Sequence, residues 1–229
     1  MTGRRVFIGL MVVLGAMYVE AIREVFFVAP VERVMGIVQK IFYFHVSAAM
    51  TFFLAFVVCA VGSVAYLVTR KARWDALAAA SAEVGVLMCA MVLLTGPLWA
   101  WPVWGTPWVW DDPQLMLTLG VFLVYTSYLL ARSLLGGDAA GRRLAAVLGI
   151  LGALAIPFIH YAVQLWGGHH PRVMRGEGGG LDPTMRRVFA LCVVSFLGLY
   201  GLLLWTRMRL FLDEARLRVL QNRVETEVA

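Results

Sequence analysis

Charge is scarce in this chain. Only 15% of its 229 residues are Asp, Glu, Lys or Arg, while 61% are hydrophobic. A domain of that composition cannot cover its surface with polar groups, which excludes a freely water-soluble protein and makes lipid the solvent. Cysteine is also rare: Cys59, Cys89 and Cys192 each stand alone in an apolar stretch, and no Cys-x-x-Cys pair occurs. A dithiol redox motif and a thiolate metal site are thereby excluded, leaving three small buried hydrophobes. No phosphate-binding glycine loop, Ser/His/Asp pattern, zinc-ligand spacing or internal repeat is present, so ATP chemistry in this chain has no support. The Gly176–Gly180 stretch reads as a connector. A net charge of +6 would suggest nucleic acid in a soluble protein. In so apolar a chain it reads as membrane topology instead, with no nucleic-acid partner.

Long apolar runs, by contrast, are plentiful. A hydrocarbon core of about 30 Å needs about 20 apolar residues in a helix. Six segments qualify, near 6–28, 41–68, 76–98, 114–135, 143–163 and 188–211. The expectation is an all-α polytopic membrane protein, one six-helix domain over residues 1–229, with lipid as its constant partner. The N-terminus resembles a signal peptide, but it lacks a small-x-small cleavage site and apolar character resumes at Val25–Ala29, so it counts as the first span. Glu20, Arg23 and Glu24 share one face of that helix and place its end in water or against a polar partner. Thirteen of the twenty Lys and Arg fall on the side of the two termini, against seven on the other. The positive-inside rule then puts both termini in the cytoplasm.

The other side holds the chemistry. Five of the eight tryptophans lie in one run, Trp99-Ala-Trp-Pro-Val-Trp-Gly-Thr-Pro-Trp-Val-Trp-Asp111, within a connection expected at 99–113. Its prolines and glycine argue against a plain helix and for a shaped surface. Indole packs well on flat π-systems, so the run suits either a lipid boundary or a large planar ligand. All four histidines fall toward the same side: His45, His160, His169 and His170. Two neutral imidazoles suit the axial positions of a porphyrin iron, and Lys40, Arg172 and Arg175 could meet its propionates. Plainer accounts stand beside these: an aromatic belt, boundary histidines and headgroup contacts. Asp111 and Asp112 could orient a ring or merely cap the next helix. Glu83, inside the third span, is an intramembrane acid far from the histidines.

Trp104-Gly-Thr-Pro-Trp-Val-Trp-Asp111 closely resembles the W-G-x-x-W-x-W-D signature of the heme-handling proteins of cytochrome c biogenesis, nearest to the heme exporter protein C (CcmC) family. Lys40–Ala49 resembles that family's first histidine region. Pro157–Trp166, His170 and Leu181–Met185 resemble its second. The match runs from about residue 36 to 190 in order, and departs from the family at Pro113, Pro107, Ser47 and His169. The resemblance implies a bacterial inner-membrane protein that presents heme b at the outer face. Its iron ligands would be His45 and His170, with His169 as the alternative. Trp99, Trp101, Trp104, Gly105, Trp108, Trp110, Asp111, Lys40 and Arg172 would bind the cofactor. The implied partners are a periplasmic heme chaperone (CcmE-like), CcmA/CcmB transporter subunits and a small CcmD-like subunit, with no catalysis by the chain itself. The competing expectation is a b-type heme oxidoreductase, which would ligate iron at depth between facing helices. A purely structural subunit is the third.

Overall fold

Among the described residues, six helices are long and apolar enough to cross a membrane: Arg4–Val28, Ile37–Thr69, Ala72–Trp104, Pro113–Leu134, Ala139–Trp166 and Pro183–Leu217. The computed structural model describes residues 2–135, 138–170 and 181–228. The helices are α1 (Thr2–Arg23), α2 (Ile41–Thr69), α3 (Ala72–Trp104), α4 (Pro113–Leu134), α5 (Ala139–Leu154), α6 (Ile156–Trp166) and α7 (Pro183–Val228). A π-helical turn, Glu24–Val28, extends α1, and a 3-10 turn, Ile37–Lys40, leads into α2. The chain is thus an all-α, six-span membrane protein.

Two boundaries differ from expectation. The tryptophan run is not all loop, because α3 continues through Trp104 with Pro97 and Pro102 inside it. Each proline removes one backbone donor, a loss that neighbouring helices can cover within a membrane. The fifth span is broken at Ala155, where α5 gives way to α6 with Pro157 in its first turn.

α2 and α3 form the centre, with α5, α4 and α7 packed around them. Close approach rests on small residues. A Cβ on Gly62 would stand 3.0 Å from the Ala78 backbone nitrogen, where α2 and α3 nearly touch. The Phe56 and Tyr125 rings stack at 3.6 Å, and the Tyr125 hydroxyl donates to the Gly149 carbonyl at 2.7 Å. Ser81 donates to the Ala55 carbonyl at 2.6 Å and meets the Tyr200 hydroxyl at 2.8 Å. Buried polar groups in lipid need such partners, and here each pins one helix to another.

The end of the bundle away from the tryptophans is closed by ion pairs. Arg132 holds Asp75 through two bonds of 2.5 and 3.0 Å, and Arg207 holds Glu83 at 2.5 and 2.8 Å. Glu83 therefore has a structural partner and stands apart from the histidines. At the tryptophan end, Arg187 of α7 pairs with Glu24 at 2.7 Å, and Arg23 pairs with Glu20 and Glu24. The polar face of the first span thus meets a polar partner, as its sequence implies.

Candidate functional site

At the tryptophan end α2, α3, α4 and α6 enclose a cavity of about 720 Å³. That lies within the roughly 300–1,000 Å³ of small-molecule and cofactor sites. His45, Trp99, Trp104, Trp108, His160 and His170 are among its walls. Residues far apart in sequence meet there for local reasons that can be traced.

α3 ends at Gly105, whose φ of +73° returns its N–H to the Trp101 carbonyl at 2.9 Å. A left-handed terminus of this kind favours glycine, which explains Gly105 without contact to a ligand. Before it, Trp99 meets the His45 ring edge-on at 5.7 Å and Phe42 at 6.3 Å. Trp104 stands beside both His169 and His170, with ring centroids 5.5 and 5.4 Å away. Trp108 packs edge-on against Trp110 at 5.9 Å. Trp101 and Trp110 are 65% and 72% exposed and lie outside the cavity wall, as does the exposed Asp111.

The adjacent Asp112 is the buried carboxylate. Its Oδ1 accepts from the backbone N–H groups of Gln114 and Leu115 at 3.0 and 3.1 Å, capping α4. Its Oδ2 accepts from the His169 N–H at 2.9 Å and lies 3.8 Å from His170 Nδ1. One side chain therefore fixes both the start of α4 and the segment carrying the histidine pair. Burial pushes its carboxyl up, but the His170 ring and the His169 and Leu115 N–H groups outweigh that and hold it well below the usual range. Gly168, at φ +147°, makes the close approach possible, because a Cβ there would sit 2.9 Å from Oδ2. Of the histidine pair, His170 lines the cavity with its side chain 22% exposed. His169 is 53% exposed and is not part of the wall.

On the α2 wall, His45 Nδ1 lies 2.8 Å from the Thr95 hydroxyl oxygen. The single hydroxyl hydrogen of Thr95 is directed to the Met91 carbonyl at 2.7 Å. With that hydrogen on Met91, Thr95 would accept from His45 Nδ1–H, which would leave the Nε2 lone pair free. Metal-binding histidines are commonly held in this way. Thr95 escaped sequence reasoning, although it stands one turn before Trp99 on the same helical face.

Lys40 does not reach the cavity. Its ammonium donates to the carbonyls of Val25, Phe26 and Ala29 at 2.7, 2.9 and 3.4 Å. The irregular π turn leaves those carbonyls without helical partners, and a buried cation satisfies them. The role expected for Lys40 at a propionate is replaced by this structural one. Arg172 and Arg175 lie outside the described residues. Cys59, Cys89 and Cys192 are free and buried.

The arrangement suits a large flat ligand. The indole nitrogens of Trp99 and Trp108 and Nδ1 of His170 are buried without a hydrogen-bond partner. Among the described residues no group of three or more His, Cys, Asp or Glu could hold a bare metal ion. Three imidazoles, those of His45, His160 and His170, line the one cavity, and two of them would suit an iron whose remaining ligands come from a macrocycle.

The family model for heme exporter protein C (CcmC) matches residues 2–223. Heme exporter protein C of Bradyrhizobium diazoefficiens is 33% identical over 195 residues, covering 84% of this chain and 74% of the relative. The Escherichia coli K12 protein of that name is 32% identical over 187 residues, covering 79% and 73%. That of Rhodobacter capsulatus is 32% identical over 205 residues, covering 86% and 83%. With a family match over nearly its whole length and relatives at 32–33% identity, this chain belongs to the heme exporter protein C (CcmC) family.

Proposed function

We propose that this protein is a heme-handling subunit of cytochrome c biogenesis, carrying heme b in the cavity with His45 Nε2 and His170 as axial iron ligands. The observation that carries this reading is the meeting of His45 and His170 on one cavity walled by Trp99, Trp104 and Trp108. His45 is poised as a ligand because Thr95 holds its other nitrogen. His170 is preferred over His169 because it alone of the two lines the cavity. The indoles exclude water and pack against the macrocycle, and Trp101 and Trp110 are left exposed at the rim for a partner.

The chain acts as a carrier and not as a catalyst. It presents heme at the outer face of the bacterial inner membrane to a periplasmic, CcmE-like chaperone. It works alongside CcmA/CcmB transporter subunits and a small CcmD-like subunit. The excess of Lys and Arg on the side of the termini supports cytoplasmic ends for both. An electron-transfer role is the weaker reading, because both proposed ligands sit near one end of the bundle instead of at mid-depth.

The test is spectroscopic. The purified full chain should bind hemin with a low-spin, bis-imidazole spectrum. His45→Ala and His170→Ala should each lose that signature, whereas His169→Ala should keep it. An unchanged spectrum in the His45→Ala/His170→Ala double variant would overturn the axial assignment.

A further inference from the structure

The cavity has a polar wall as well as an aromatic one. α4 presents Gln114 and Thr118 to it, and α6 presents His160 and Gln164. Each pair is spaced i, i+4, so each forms a stripe on one helical face. α4 and α6 pack together and run in opposite directions. Their register is fixed where Asp112 Oδ2 accepts from the His169 N–H at 2.9 Å. Both stripes line the same cavity.

Polar side chains on membrane-spanning helices are costly, and a cluster of four facing one cavity points to a polar ligand group. Among the described residues, no hydrogen bond uses the side-chain amide of Gln114 or Gln164 or the ring of His160. The Thr118 hydroxyl hydrogen goes to the Gln114 carbonyl at 2.7 Å, so Thr118 offers only an acceptor. The donors left are two glutamine amides and one imidazole, and the unpartnered Trp108 indole nitrogen belongs to the same cavity. Lys40, the cation nearest in sequence to His45, is held by backbone carbonyls. Among the described residues, no Lys or Arg lines the cavity.

We infer that the α4/α6 wall is a carboxylate-binding subsite, in which Gln114, Gln164 and His160 hold the acidic side chains of a porphyrin through neutral donors. The inference rests on the reading that this cavity takes heme, and adds which wall orients it. Hydrogen bonds to a charged acceptor are the strong class, so each donor lost should cost on the order of tenfold in affinity. Neutral donors also release a carboxylate more readily than a buried guanidinium, which suits a carrier that must hand its cargo on.

The experiment compares hemin with hemin dimethyl ester, whose carboxylates are masked, on the detergent-solubilised full chain. The wild type should prefer hemin by at least about tenfold. Gln164→Leu and Gln114→Leu should each remove most of that preference while the bis-imidazole spectrum persists. Gln164→Glu keeps the side-chain shape and adds a negative charge. It should weaken hemin and leave the ester unaffected, which a folding defect would not do. Equal binding of the two porphyrins by the wild type, or an undiminished preference in Gln114→Leu/Gln164→Leu, overturns the subsite. Loss of the axial assignment reads out separately, as an unchanged spectrum in the histidine variants.

Discussion

Thr95→Val tests the site at a residue that need not touch the ligand. The substitution keeps the branched shape and removes the oxygen that accepts the His45 Nδ1–H at 2.8 Å. The imidazole then has a buried N–H without a partner, an arrangement costing about 1–3 kcal/mol. It is also released to the other tautomer, whose Nε2 bears hydrogen and cannot bind iron. Loss of an outer-shell partner of a metal-binding histidine typically lowers affinity about 10–100-fold. At about 1.4 kcal/mol per tenfold, that is about 1.4–2.8 kcal/mol, in agreement with the first figure. Hemin titration of the solubilised full chain, followed by the Soret band, should show a Kd raised by one to two orders of magnitude. Thr95→Ser, which keeps the acceptor, should bind nearly as tightly as the wild type. The midpoint potential should also move in the valine variant, because Nδ1–H hydrogen bonding tunes ligand basicity. Wild-type affinity in Thr95→Val, or serine binding as weakly as valine, would refute the tautomer assignment.

Three other outcomes follow from the same structure. Asp112→Ala should lower thermal stability by about 1 kcal/mol through loss of the α4 cap, and should also weaken hemin by untying the His169–His170 segment. Asp112→Asn should restore the cap, and an alanine variant that loses stability yet binds hemin normally would remove Asp112 from the positioning role. Gly85→Ala should destabilise by about 1–3 kcal/mol through overpacking, because its Cβ would fall within 2.4 Å of the Phe56 ring that stacks on Tyr125. Gly120→Ala, with nothing within 4 Å of the new Cβ, should not destabilise, and melting temperatures in detergent would check the pair. Glu83→Ala and Arg207→Ala should each destabilise and together fall short of the sum, with a coupling of about 0.5–3 kcal/mol in a double-mutant cycle. Hemin affinity should be unchanged in Glu83→Ala, Arg207→Ala and the double variant.

The six spans were legible because apolar length alone decides whether a helix can cross a bilayer. The end of α3 was not. Pro102, Pro107, Gly105 and the crowding of indoles suggested a loop, yet the helix runs to Trp104 before Gly105 ends it. A proline deletes one hydrogen bond and kinks a helix, but in a packed bundle it need not end it. Lys40 misled for a related reason. Its place five residues before His45 suggested a propionate partner, whereas its true partners are carbonyls of a π turn that no sequence pattern announced. The histidine side of the site was visible as two segments converging on one end. Thr95 and the Gln114, Thr118, His160 and Gln164 stripes showed their i, i+4 spacing in the sequence. Their common direction appears only once α4 and α6 are seen side by side.

The two ends of the bundle are built to opposite purposes. Away from the tryptophans, helices are drawn together by Gly62 against Ala78 and locked by the Asp75–Arg132 and Glu83–Arg207 pairs. Toward the tryptophans, α3 carries two prolines and the fifth span is broken at Ala155, and the cavity lies at that end. Its wall on α2 reaches Phe52 and Phe53, and one turn further the Phe56–Tyr125 stack closes the centre. A porphyrin travelling along the bundle axis would have to separate that stack and then the ion pairs beyond it. The same porphyrin entering at the tryptophan end, or sideways past the exposed His160 and Gln164, meets no such barrier. Under the proposed function, loading and release would share that end of the molecule.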